Sequence, residues 1–115
     1  CYLFVKVQEE NWPTLTEADG TTKKVSYKIA NGWTALEGQT NVYYREVSAD
    51  EAKAGVSYNV LAGDTTYPDG VVTVSENLTK TDVNGLKANQ PKLTFTAYAV
   101  QKDGIADVAT AWSKI

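Results

Sequence analysis

Histidine is missing from this chain, methionine is missing too, and there is one cysteine. Without histidine the usual general base, the Ser-His-Asp triad and every His-containing zinc site are excluded together. A single Cys1 permits neither an internal disulfide nor a thiolate metal cluster. Three readings of it stand: a residue made first by truncation, the lipidated start of a mature lipoprotein, or a reactive thiol. Truncation is favoured, because a lipidated cysteine is usually followed by a polar tether and here Tyr2-Leu-Phe-Val-Lys-Val7 begins a strand at once. The lack of a first methionine marks the chain as a processed or trimmed product, to which no signal peptide remains attached. No apolar run approaches the ~20 residues of a membrane-spanning helix, so no membrane insertion is expected. Positive charge is sparse as well. Fourteen acidic residues face eleven basic ones, for a net charge of -3 and a pI near 4.8. That balance leaves no basic footprint for nucleic acid and argues against adsorption to an anionic membrane.

What is present is the composition of an ordinary globular protein, 43% hydrophobic and 22% charged over 115 residues. One domain spanning 1-115 is expected, large enough to bury a core unaided. The longest alternating stretch is Leu93-Thr-Phe-Thr-Ala-Tyr-Ala-Val-Gln101, which reads as a central strand with Leu93, Phe95, Ala97 and Ala99 on its inner face. The small alanines ask for a bulky cover, which the segment Ile105 to Ile115 can supply. Cys1 to Gln8 is a second strand, apolar on both faces at its start. Pro13 breaks the chain after it.

Val25, Tyr27 and Ile29 alternate in a third strand. Asn31-Gly32, a strong hairpin signal, predicts that Trp33 to Leu36 returns antiparallel to it. Asn41 to Val47, Val56 to Val60 and Val71 to Ser75 supply further strands. Ser48 to Gly55 is a loop or one helical turn closed by glycine. Thr79, with Asp82 three residues on and Leu78 able to staple against Val83, starts a short helix that Gly85 limits. Ile105, Val108, Ala109, Trp112 and Ile115 are spaced as one helical face, with Asp103 as cap and Asp107 in the first turn. A strand is the second reading of that segment. Burying Ile105, Val108 and Trp112 would contribute ~1.5–3 kcal/mol each. Short strands punctuated by glycine turns make an all-β, antiparallel two-sheet sandwich with one or two short helices the expected architecture.

Chemistry is harder to find. The acidic pairs Glu9-Glu10 and Asp50-Glu51 lie in polar loops and read as solvated charge. Asp64 and Asp69 lack the alternating pattern of a calcium loop, and the glycines fall singly at turns, with no phosphate cradle. Asn77-Leu-Thr79 matches a glycosylation sequon, but Thr79 has its use as a helix cap. No cofactor or metal is expected. Seven tyrosines and three tryptophans first suggest core filling and cross-strand pairing. Trp12 and Tyr67, which adjoin prolines in loops, stand out as surface contacts suited to a sugar or a protein.

Taken together, Cys1 to Val7, Asn31-Gly-Trp33, Val42-Tyr-Tyr-Arg-Glu-Val47, Val60-Leu61, the helix start at Thr79 and Leu93 to Gln101 resemble small exported proteins of Gram-positive bacteria. These carry SipW-type signal peptides and are related to the TasA/camelysin group. The resemblance implies a secreted jelly-roll β-sandwich that self-associates into extracellular fibres of the biofilm matrix or cell surface. A subunit of such a fibre donates a strand to its neighbour. Set against a full family member, residues 1-115 are expected to lack an upstream signal peptide and N-terminal donor segment. The metalloprotease label attached to camelysin finds no support in a chain without histidine. A non-catalytic fibre subunit is therefore the first expectation, a cell-surface adhesin or glycan-binding module the second, and a carboxylate-dependent hydrolase a distant third.

Overall fold

The computed structural model describes all of residues 1–115. It is β-rich, with two antiparallel sheets and three short helices. The four-stranded sheet is built on β1 (Tyr2–Glu10), flanked by β4 (Val42–Glu46) and β6 (Lys92–Val100), with β3 (Thr34–Ala35) beyond β4. The two-stranded sheet pairs β2 (Val25–Tyr27) with β5 (Val72–Val74).

The first strand sits at the centre because both of its faces are apolar. Tyr2 and Phe4 are buried on one face, Val5 and Val7 on the strand's alternate positions. Cross-strand partners share a face. Phe4 lies opposite Tyr44 and Tyr98, and Val5 opposite Tyr43 and Ala97. The strand ends where Asn11, at φ 52°, turns the chain ahead of Pro13.

The Phe4 face holds the main core, formed by Tyr2, Phe4, Leu36, Val42 and Ala111. It is closed by α3 (Val108–Ser113). Trp112 packs against Phe4 with ring centroids 5.3 Å apart, and meets Tyr98 edge to face at 5.8 Å. The C-terminal segment is thus a helix as its spacing predicts, but three details differ. Its cap is Asp107, whose Oδ1 accepts the Thr110 N–H at 2.8 Å, and not Asp103. Ala111 rather than Ala109 is buried, and Ile115 is exposed. The helix also covers the Tyr98 and Val100 face, where the large rings can interlock, and leaves Ala97 and Ala99 exposed.

The largest correction concerns β6. Its alternation predicts a central strand, yet it pairs only with β1 and forms the sheet edge. The Asn31-Gly32 turn forms, with Gly32 at φ 95°, but β3 then pairs with β4 and not with β2. The turn therefore carries the chain from one sheet to the other. Val56 to Val60 forms no strand. Tyr58 is drawn away to stack on the Arg45 guanidinium at 4.1 Å, and the same cation lies 4.5 Å from the Trp33 ring. The Ile29 to Leu61 bridge, with its neighbouring bonds, ties the end of this segment to the chain just after β2.

Helix α1 (Ala49–Ala54) opens with a Ser48/Glu51 capping box and closes at Gly55, whose φ of 68° suits glycine. Helix α2 (Lys80–Ala88) carries the expected Thr79/Asp82 capping box. It runs through Gly85, because one glycine costs a helix only about 1 kcal/mol and its start is pinned. Lys24 Nζ lies 3.0 Å from Asp82 Oδ2 in a largely enclosed ion pair.

Candidate functional site

The edge strand β6 opens with Lys92 and then runs from Leu93 to Val100 without a charged residue or a proline. Natural sheets normally blunt such an edge with charge, proline or a bulge, because its free N–H and C=O groups can template another strand. The two-stranded sheet presents a second free edge at β5. An open apolar groove of about 400 Å³ is lined by side chains of both strands. Leu93 and Phe95 of β6 form one wall, and Val72 and Val74 of β5 another. Val25 and Leu86 also line it, and Trp12 and Pro91 lie along its margin. Phe95 is 42% exposed and Val74 55%, so large side chains reach solvent on both sides.

The alternation in β6 and β5 places these side chains side by side. Val25 is buried beneath them. The groove's outer frame is fixed by polar contacts. Ser75 Oγ donates to Glu17 Oε1, and Asn77 Nδ2 donates to Glu17 Oε2 at 3.1 Å. These bonds hold the Glu17 carboxyl below its usual range. The Lys24–Asp82 pair ties α2 to the residue preceding β2. Asn77 of the sequon thus anchors a loop, and Thr79 caps a helix.

Of the two contact residues expected from sequence, Trp12 lines this groove. Tyr67 does not. It is carried at 62% exposure on the loop before β5. There its N–H donates to Asp64 Oδ1 at 2.6 Å, while the Asp64 N–H donates to the Tyr67 carbonyl at 3.0 Å. Gly63 makes that closed loop feasible, since a Cβ there would overlap the backbone oxygens of Tyr67 and Pro68. Trp12 and Tyr67 are therefore not parts of one surface pocket.

The carboxylates with lowered pKa are all accounted for by hydrogen bonds that hold turns and caps. Asp19 is drawn down to about 2 by the Thr22 hydroxyl and the N–H groups of Thr21 and Thr22. Asp82 is lowered by the Thr79 N–H and by Lys24, and Asp107 by the Thr110 N–H. Glu51 is lowered first by the Tyr58 hydroxyl. No polar or charged side chain is buried, and no three of His, Cys, Asp and Glu gather as a metal site. No helix is long and apolar enough to cross a membrane.

Fold and groove define a small β-rich module with an open apolar groove lined by strands of both sheets. Comparison with protein families, curated proteins and solved structures finds no match to the chain.

Proposed function

We propose that the protein is a non-catalytic structural subunit of extracellular fibres or biofilm matrix that assembles by β-strand addition. A strand from a second copy, or from a related matrix protein, would lie along β6 and drop alternate apolar side chains into the groove facing β5. The observation that carries this reading is the edge of β6, free of charge from Leu93 to Val100, beside that groove. Strand addition supplies main-chain hydrogen bonds for affinity and side-chain pockets for register. The sparse core points the same way. Only nine of 115 residues are buried, so much apolar surface is left for a partner to cover. The likeness of the β1, β4 and β6 sequences to the TasA/camelysin group supports a secreted, self-associating role.

The test is negative-stain electron microscopy beside light scattering over a concentration series. Filaments or oligomers are expected from the wild-type chain. Ala97→Lys and Phe95→Lys, each placing a charge on the exposed edge, should abolish them while leaving the far-UV circular dichroism unchanged. A wild-type chain that stays monomeric at millimolar concentration would overturn the proposal.

A further inference from the structure

On the other side of Trp12 and Val25 from the apolar groove opens a second, wider cleft of about 540 Å³. That lies within the ~300–1,000 Å³ usual for small-ligand sites. Its character differs from the groove's. Trp12, Tyr27 and Tyr43 supply aromatic surface, and Glu9, Lys23 and Lys28 supply charge. The rings are held in place. Trp12 meets Tyr27 edge to face with centroids 5.4 Å apart, and the Tyr27 hydroxyl donates to Glu9 Oε2 at 3.0 Å. Partial burial and the Glu9 carboxylate push that phenol's pKa up to about 12, so the hydroxyl stays a donor throughout the physiological range.

Pinned rings lose little freedom when a ligand binds. Glu9 Oε1 takes no hydrogen bond. Neither Lys23 nor Lys28 belongs to the molecule's two ion pairs. The cleft therefore offers aromatic surface and one free acceptor oxygen, and two lysines outside any ion pair belong to its lining.

The geometry points to a binding site for an acidic polysaccharide, a chain of pyranose rings bearing carboxylates. The C–H face of a pyranose suits aromatic rings. Its hydroxyls donate to a carboxylate such as Glu9, and its own carboxylate attracts Lys23 and Lys28. A neutral glycan would leave both ammonium groups unused, and an apolar peptide would leave all three charges unmatched. The site adjoins the strand-accepting groove, sharing Trp12 and Val25 with it, and adds a matrix-binding function to the self-association proposed above.

Calorimetric and NMR titration with oligogalacturonate, against neutral cello-oligosaccharide of equal length, tests it. Saturable binding of the acidic oligomer is expected, with shifts at the Trp12 indole and Tyr27. The neutral oligomer should bind at least tenfold more weakly. Lys23→Gln with Lys28→Gln, both exposed and with side chains in neither ion pair, should weaken oligogalacturonate at least tenfold at low salt. No saturable binding, equal affinity for the neutral oligomer, or full affinity in the double lysine variant would each overturn the inference. Ala97→Lys should bind oligogalacturonate as wild type does, whether or not it assembles, so failure of the fibre reading is told apart from failure of this one.

Discussion

Phe4 has no exposed surface and touches the rings of Tyr2, Tyr44 and Trp112. Truncating it to alanine would empty the centre of the main core. A loss of about 3–5 kcal/mol is expected by denaturant titration, a large share of the stability of any domain this size. The hydrogen-bonded carboxylates make a subtler statement. Asp19, Asp82, Asp107, Glu17 and Glu51 all have folded pKa values below their ordinary ones. Each contributes stability that is fully present above its unfolded pKa and lost as pH falls through the folded value. Thermal midpoints should therefore hold steady down to about pH 4.5 and decline from there toward pH 2. Asp19→Asn should flatten the lowest part of that decline.

Helix α2 offers the cleanest change at the level of elements. Nothing lies within 4 Å of a Cβ built on Gly85, so Gly85→Ala should stabilise the protein by roughly 0.5–1 kcal/mol. A raised midpoint in urea would show it. Elements also mark where reading the sequence succeeds and stops. The double-sided apolar start of β1 announces a covered strand, and the structure centres it. Thr79 with Asp82, and the spacing of Val108 and Trp112, announce helices that form. Such signals are local. The alternation in β6 is the same for an edge strand as for a central one, since period two records faces and says nothing of neighbours. Asn31-Gly32 specifies a turn but not which strand the chain pairs with afterwards. Val56 to Val60 alternates correctly, yet Arg45, distant in sequence, claims Tyr58. The groove was hidden for the same reason. Trp12 stands out as a loop aromatic, but Phe95, Val72 and Val74 become a site only when strands of two different sheets line one groove. Tyr27, Tyr43 and Glu9 likewise meet only where the two-stranded sheet approaches the four-stranded one.

The molecule as a whole is long, measuring 54 × 30 × 25 Å with a radius of gyration of 17.2 Å. A compact chain of this length would give about 13 Å. Small-angle scattering of dilute protein should return the larger value, and a compact one would mean that the two sheets close over the groove in solution. The register of β1 with β6 carries one more consequence. Tyr2 pairs with Val100 and Glu10 with Lys92, so the start of the first strand and the finish of the last lie at the same end, where Trp112 clasps Phe4. Tension applied through the chain ends would first have to tear away that clasp and would then unzip the ladder one pair at a time. Tension applied along β6 by a neighbouring strand would instead load the whole ladder in shear. A filament joined through its edges would therefore resist pulling better than its own subunits do when held by their ends.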